Sequence, residues 1–334
     1  LVSSKDNPNN RRSKLIKLSE YGKENISNIL GRCNELFNEF ASNVSDAGTY
    51  TLNIDKAYTG KAITLRVTNK TASTTPDYRD ESTNTDKDLG TGSIAAVVAA
   101  DGTSQTVHIT ALTDLVARQL TGADNKLLTG ITLAQITAFN KQLAMVLGLS
   151  STQAITDIQP TFTVDSSGNS DKATLSVADR YGQLLAQISD QQANSDATLE
   201  ATQNTLANGI TWNWNGTTAT ATVSSDTVKQ VVLLAKVAQA AAVTTVDSAT
   251  AFLSATDLST YGITGVSGLS AARKADLLQR IVNSKDDGSE FDTITELQAL
   301  ATKLVALAKI QDYANNSATN PAPTVAEDFG GRAA

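Results

Sequence analysis

The segment Val107–Leu120, VHITALTDLVARQL, changes its hydrophobic period partway along. Polar and apolar residues alternate from Val107 to Thr110, which is typical of a half-buried strand. From Ala111 onward the apolar residues recur at the spacing of one helix face; they are Leu112, Leu115, Val116 and Leu120. The segment therefore predicts a junction between a β region and a helical region, with Thr110 or Thr113 capping the new helix.

The sequence on either side of this junction predicts an α+β chain. At this length, a division into two or three domains is expected. The predicted parts, in chain order, are an amphipathic helix in 1–41, a small antiparallel, sandwich-like β domain in 42–110, a helical domain in 111–244 with one hairpin at 210–223, a three-helix module in 245–313, and a linker and tail in 314–334.

Two hairpins are predicted within residues 42–110. The first pairs Thr49–Ile54 with Ile63–Val67 by alternation of apolar residues. The second pairs Ile94–Ala99 with Thr103–Ile109 about the turn dipeptide Asp101-Gly102. The acidic stretch between them, residues 71–92, is expected to be an exposed loop with one short strand at Tyr78. The predicted inward side of the first hairpin consists of Tyr50, Leu52, Ile54, Ile63, Leu65 and Val67.

Amphipathic spacing predicts helices through most of the remaining chain. One of them is expected to begin at Thr132 and to end at Gly148, and a capping box of Thr293 and Glu296 opens the last. Asn215-Gly216 predicts the turn of a hairpin between residues 210–214 and 218–223. The predicted helices lie at 127–147, 175–193, 196–206, 225–242, 249–253, 270–283 and 293–313.

The net charge, the apolar runs and the cysteine count of the chain limit its expected partners and its expected location. The net charge is −7 and no basic cluster is present, so a nucleic-acid partner is not expected. We find no signal peptide and no apolar run long enough to span a bilayer, and we expect a soluble chain without a transmembrane segment. Cys33 is the only cysteine, which rules out an intramolecular disulfide, and its apolar neighbours favour a buried side chain over a reactive thiol.

The residues needed for common catalytic and metal sites are scarce. His108 is the only histidine, which argues against a Ser-His-Asp triad and against a multi-histidine zinc site. The run NSKDDGSEFDTITE fails the EF-hand pattern, since Lys285 and Ile294 stand at ligand positions when Gly288 is aligned. We therefore expect no cofactor and no metal, with weak calcium binding by the acidic residues 77–88 as the alternative. A Ser/Lys or paired-carboxylate enzyme is not excluded by residue counts.

Trp212 and Trp214 lie on the same side of their predicted strand. Two aromatic rings on one strand face can stack on a sugar or a peptide, which makes the pair a candidate ligand-binding site. The same pair can instead cover a hydrophobic core. The packing interpretation is the commoner of the two for such a pattern.

The first forty residues carry an apolar stripe that predicts one helix, broken near Gly22. We expect this stripe to be covered by a neighbouring subunit or by its own domain; the basic residues at its start leave a membrane-surface helix as a further alternative. If subunits meet head to tail, the stripe would lie in the contact. Its candidate contact residues are Leu15, Leu18, Ile26, Ile29, Leu30, Cys33, Leu36, Phe37 and Phe40.

Four stretches, in order, resemble the large secreted surface proteins and adhesins of Gram-negative bacteria. The stretch TALTDLVARQL resembles their "TPLT-x-L-A" strand-to-helix segment, with Ala111 where proline is usual. Upstream, SDAGTYTLNI and ITLRVTNKT resemble their "D-x-x-G-x-Y-x-L" hairpin. Downstream, residues 179–209 resemble a helical segment built around "Y-x-x-x-L-A-x-x-S". Residues 292–325 are similar to their small helical repeats, in which "N-P-x-P-T-V" opens the next repeat.

The resemblance implies a non-enzymatic extracellular protein, structural or adhesive, at a bacterial cell surface. The partners it implies are copies of the same chain, other surface-protein modules, or glycans. Two alternatives stay open: a self-assembling subunit of an extracellular filament or surface layer, and a carbohydrate-binding module or secreted enzyme.

Overall fold

A computed structural model describes a little over half of the N-terminal third of the chain and most of the rest. The described ranges are 2–6, 14–18, 39–42, 56–68, 78–80, 85–90, 92–161, 174–194, 198–243, 246–283 and 293–315. The predicted α+β class is confirmed, with helices dominating after the junction. No helix among these residues is long and apolar enough to cross a membrane.

The strands of the described ranges form small sheets. Strands β1 and β2 pair antiparallel, β3, β4 and β7 form one three-stranded sheet, β5 pairs with β6, and β8 pairs with β9. The bounds are β1 Val2–Asp6, β2 Lys14–Leu18, β3 Glu39–Ser42, β4 Ala62–Thr68, β5 Tyr78–Asp80, β6 Thr85–Lys87, β7 Ser93–Ala99, β8 Ile210–Trp214 and β9 Ala219–Val223.

Most of the helices lie near the predicted ranges. Thr132 caps the second of them and Gly148, with φ +72°, follows its end. The bounds are α1 Ala111–Leu120, α2 Leu133–Val146, α3 Val177–Asn194, α4 Leu199–Asn208, α5 Asp226–Ala241, α6 Val246–Ala249, α7 Ala255–Thr260, α8 Ala271–Asn283 and α9 Ile294–Asn315, with 3-10 turns at Lys56–Tyr58 and Ile155–Asp157. The sequence predicts no helix at α7, and the helix predicted at 249–253 instead spans Val246–Ala249, because four to six residues are too few to fix the bounds of a helical period.

The three-stranded sheet has a different pairing from the one predicted. Strand β4 pairs antiparallel with β7 and parallel with β3, so the sheet is mixed rather than purely antiparallel. The predicted partner of β4, Thr49–Ile54, lies outside the described residues, and so do the predicted inward side chains Tyr50, Leu52 and Ile54 within it. Ile63 and Val67 are buried as expected and Leu65 is half-buried, but Thr64 and Arg66 on the opposite face are buried too.

The predicted second hairpin is wrong. The turn at Asp101-Gly102 forms, with Gly102 at φ +85° and the Asp101 carboxylate accepting the Thr103 N–H, but residues 103–110 form no strand. They instead run beside the 3-10 turn, where the His108 N–H donates to the Thr156 carbonyl at 2.9 Å. The reason is that the free edge of β7, which they would have paired with, is occupied by side chains from helices.

The predicted N-terminal helix is contradicted where the structure describes it. Leu15 and Leu18 lie in strand β2, and Phe40 lies in β3 opposite Leu65. The run KLIKL is too short to distinguish a strand from a helix by the spacing of its apolar residues. The other proposed contact residues, Ile26, Ile29, Leu30, Cys33, Leu36 and Phe37, lie outside the described residues.

Two large hydrophobic cores organise the described helices. The first joins β7 to α1, α2, α3, α4 and the start of α5, and includes Ala95 and Val97 on the sheet side of the predicted domain boundary at 110. The second joins the end of α5 to α6, α7, α8 and α9. Helix α5 contributes Val228, Val231, Val232 and Ala235 to the first core and Leu233, Val237 and Ala240 to the second.

Candidate functional site

The strand-to-helix junction that dominates the sequence is also where buried polar groups concentrate. Thr110 caps α1 in a capping box: its hydroxyl oxygen accepts the Thr113 N–H at 3.3 Å, and the Thr113 hydroxyl accepts the Thr110 N–H at 2.9 Å. The Thr110 hydroxyl also lies 2.6 Å from the hydroxyl of Tyr181, a fully buried side chain on α3. The cap thus fixes the start of α1 against α3.

Thr113 and Asp114 connect α1 to the edge of β7. The Thr113 hydroxyl donates to the Ala95 carbonyl at 3.0 Å, and the Asp114 carboxylate accepts the Ala95 N–H at 2.9 Å. Ala95 lies opposite Arg66 on β4, and its own N–H and carbonyl point to the free edge of the sheet. Two consecutive side chains of the helix therefore make the two hydrogen bonds that a further strand would make.

Asp114 is the buried carboxylate of the junction. Its side chain is 2% exposed and its second oxygen accepts from Arg118 Nε at 2.6 Å. Burial raises the pKa of Asp114 to about 6, against the opposing effects of Arg118, of the Ala95 N–H and of Arg66. Burial alone would lower the pKa of the Arg118 guanidinium, but the carboxylates of Glu200 and Asp114 raise it. Arg118 therefore stays charged, and Asp114 is the group of this pair whose charged form burial disfavours.

Arg118 joins this carboxylate to a second helix. Its Nη1 and Nη2 donate to the two oxygens of Glu200 on α4 at 2.7 and 2.9 Å, and Nη1 also reaches the Asn204 amide oxygen at 2.7 Å. The hydrogen bonds from Arg118 hold the pKa of Glu200 below its usual value. A guanidinium engaged on Nε, Nη1 and Nη2 presents no free fork to a substrate carboxylate or phosphate.

The sequence predicted part of this cluster. It named Thr110 or Thr113 as the cap, and both take part in the capping box; the i,i+4 spacing of Asp114 and Arg118 is a further local signal of their pairing. Glu200 lies eighty-two residues from Arg118 along the chain, and nothing local points to that pairing. The carboxylates and the guanidinium here satisfy one another and the backbone; no side chain among them is arranged as a nucleophile beside a base.

Trp212 and Trp214, the predicted ligand-binding pair, both pack on Phe139 of α2. The Trp212 ring stacks on Phe139 with centroids 4.7 Å apart, and Trp214 meets the same ring edge-on at 6.4 Å. Both indoles are half-buried against the first core. This geometry favours the interpretation that they cover a core, and ligand binding by the pair stays a prediction.

His108 and the acidic loop complete the predicted candidates. His108 is half-buried, and burial lowers its pKa in spite of the nearby Asp157. In the acidic loop, the backbone of Arg79 in β5 lies opposite that of Asp86 in β6, and Asp77 and Glu81 lie outside the described residues. Within the described ranges, no three His, Cys, Asp or Glu side chains group closely enough to hold a metal ion.

Comparisons with protein-family models, with curated proteins and with solved structures each found no match for the chain.

Proposed function

We propose that this chain is a non-enzymatic, extracellular structural or adhesive module of a bacterial surface protein. The observation that carries the proposal is the set of hydrogen bonds made by polar side chains in the stretch that resembles those proteins. In TALTDLVARQL, Thr110, Thr113, Asp114 and Arg118 each bond to the backbone or to another element. Polar residues with such contacts fix the orientation of a helix on a sheet, which is what a rigid module requires.

The composition supports the same proposal. Charged residues make up 18% of the chain, so hydroxyl and amide side chains must provide much of the polar surface. The solvent side of the β8–β9 hairpin follows this rule, since its exposed residues are Thr211, Asn213, Thr220 and Thr222. Such a surface remains hydrated without strong charge, and it suits weak contacts with glycans or with neighbouring modules.

The test is display of the full chain on a laboratory Gram-negative strain that does not adhere. Attachment of these cells to epithelial cells, to extracellular-matrix proteins and to one another is compared with attachment of cells displaying an unrelated protein of similar size. The expected result is attachment that added soluble chain inhibits. Electron microscopy of the purified chain distinguishes isolated modules from filaments.

Two results would contradict the proposal. One is the absence of attachment to every surface by cells on which antibody staining shows full display, together with the absence of ordered assemblies of the purified chain in electron microscopy. The other is a substrate turnover by the purified chain that disappears when one candidate nucleophile is replaced.

A further inference from the structure

The turn of the β8–β9 hairpin carries an acceptor sequence for a sugar. The tripeptide Asn-X-Ser/Thr, with X other than proline, is the acceptor sequence for N-linked glycosylation. It occurs here at Asn25, Asn43, Asn69, Asn215 and Asn315. Of these, the one at Asn215-Gly216-Thr217 is the tripeptide whose three residues all lie within the described ranges with their side chains.

The geometry of this turn leaves the reacting atom accessible. The Asn215 side-chain oxygen accepts the Thr217 N–H at 3.0 Å and the Thr218 N–H at 2.8 Å, which fixes the direction of the amide. Its Nδ2 donates to no group among the described residues. Asn215, Gly216, Thr217 and Thr218 are all exposed. Gly216, at φ +94°, has no atom of the described residues within 4 Å of the position that a Cβ would occupy.

The hairpin that carries the turn is paired along both strands and packs on the first core. Strands β8 and β9 pair from Ile210 and Val223 up to Trp214 and Ala219. Trp212 and Trp214 anchor the hairpin on Phe139. The tripeptide therefore projects at the tip of a hairpin, where a transferase can approach it without unfolding of the domain.

We propose that Asn215 is a site of N-linked glycosylation. In the reaction, Nδ2 of Asn215 attacks the anomeric carbon of a sugar carried on a lipid pyrophosphate. The new carbon–nitrogen bond forms as the bond from that carbon to the phosphate oxygen breaks, and the lipid pyrophosphate leaves. The transferase takes up one amide proton. The Thr217 hydroxyl supplies the second recognition element of the acceptor. This hydroxyl makes no hydrogen bond to any of the described residues.

This inference rests on the extracellular location proposed above, but its test does not depend on adhesion. The folded full chain is incubated with a purified oligosaccharyltransferase and a lipid-linked oligosaccharide. Mass spectrometry of the proteolytic peptide containing Asn215 then reports the added sugar. The urea-unfolded and diluted chain serves as the positive control for the enzyme.

Three variants make the result specific. Asn215→Asp keeps the oxygen that accepts both turn N–H groups and removes Nδ2, and Thr217→Ala keeps the turn backbone and removes the hydroxyl. Both are expected to lose the sugar at this peptide. Thr218→Ala, an exposed change just outside the tripeptide, is expected to keep it.

The inference is overturned if the folded chain carries no sugar at Asn215 while the unfolded control does. It is also overturned if Thr217→Ala retains the modification, or if the only change at Asn215 is conversion to aspartate or isoaspartate. Successful modification of a chain that neither attaches nor assembles would refute the proposed function and leave the acceptor site standing.

Discussion

Asp114 is the residue whose surroundings are most unusual for its chemistry. A carboxylate beside a guanidinium normally has a lowered pKa, yet burial raises the pKa of Asp114 to about 6. The ionised form is tolerated because both oxygens are bonded, one to the Ala95 N–H and one to Arg118. The neutral form would lose less on burial, so protonation of this side chain favours the folded state.

Asp114 should therefore make stability depend on pH. The folded chain binds this proton more tightly than the unfolded chain, whose pKa is near 3.8, so the contribution favours folding at about pH 4 and is lost as the pH rises through about 6. The loss is at most about 3 kcal/mol, from about two pKa units. Urea unfolding of the wild type and of Asp114→Asn across this range measures it, and the variant should lack the decline.

The contribution of Glu200 to stability changes with pH in the opposite direction and must be separated from that of Asp114. Its pKa is lowered, so its contribution is present above its usual pKa and is lost as the pH falls below it. Glu200 is present in both the wild type and Asp114→Asn, so subtracting one pH profile of unfolding free energy from the other removes its contribution. Parallel profiles for the two proteins between about pH 4 and about pH 7 would show that Asp114 is not the group responsible.

At the scale of elements, α1 is held at both of its ends by different means. Its start is held by the Thr110 capping box and by bonds to β7, and its end by Arg118 bridging to α4. Ala111 is the first helical residue, a position that needs no backbone donor, and Thr110 before it is extended at φ −142° and ψ 171°. Proline is compatible with both conditions.

Ala111→Pro should therefore stabilise the chain by about 0.4–1 kcal/mol, because it restricts the unfolded state without removing a helix hydrogen bond. Gln119→Pro, an exposed position inside the same helix, should cost about 3 kcal/mol. Both values come from denaturant unfolding followed by circular dichroism. A destabilised Ala111→Pro would mean that the half-buried Ala111 site cannot accommodate the ring.

The free edge of β7 is covered by side chains rather than by a strand. Thr113 and Asp114 satisfy Ala95, the Asn140 amide donates to the Val97 carbonyl at 2.9 Å, and Gln105 donates to the Ala99 carbonyl at 3.2 Å. An uncovered edge would be open to pairing with another chain. These side chains therefore close the sheet at that edge.

The stability lost when an edge contact is removed should be larger when the contact is buried. Asn140→Leu leaves the Val97 carbonyl without its donor inside the core and should cost about 1–3 kcal/mol. Gln105→Ala should cost less than about 0.5 kcal/mol, since water replaces an exposed donor. Denaturant midpoints of the two variants provide the comparison. Equal losses would indicate that burial does not control these contacts.

At the scale of the whole molecule, α5 connects two cores. Successive turns of this one helix enter both clusters, and the half-buried Tyr261 packs against both as well. Trp212 and Trp214, the chain's two tryptophans, report on the first core alone. A helix shared in this way should make the cores unfold together.

Leu258→Ala tests this cooperativity. Leu258 is fully buried in the second core, and its truncation should cost about 2–5 kcal/mol. If α5 couples the cores, tryptophan fluorescence and far-ultraviolet circular dichroism should shift to the same lower urea midpoint. Leu307→Ala, at a side chain 45% exposed, is the control and should change stability by less than about 0.5 kcal/mol. An unchanged fluorescence transition beside a biphasic dichroism curve would show that the cores unfold separately.

The sequence by itself determined most of the longer helices after the junction, their caps and the hairpin turn, because these depend on residues within a few positions of one another. The Thr110 and Thr132 caps, the Thr293–Glu296 capping box and the Asn215-Gly216 turn all form as predicted. Each requires only a short side chain near its own backbone, or a glycine that accepts a positive φ.

Only the tertiary structure decided which strands pair and which charges meet. Parallel pairing of β3 with β4, closure of the β7 edge by helix side chains and the bridge from Arg118 to Glu200 all join residues far apart in the chain. Gly182 shows the same dependence: a glycine inside α3 is unfavourable locally, but a Cβ there would overlap the Thr161 carbonyl. The reason is physical, since local spacing fixes the period of an element, whereas its partners depend on the burial of surfaces that form only in the folded chain.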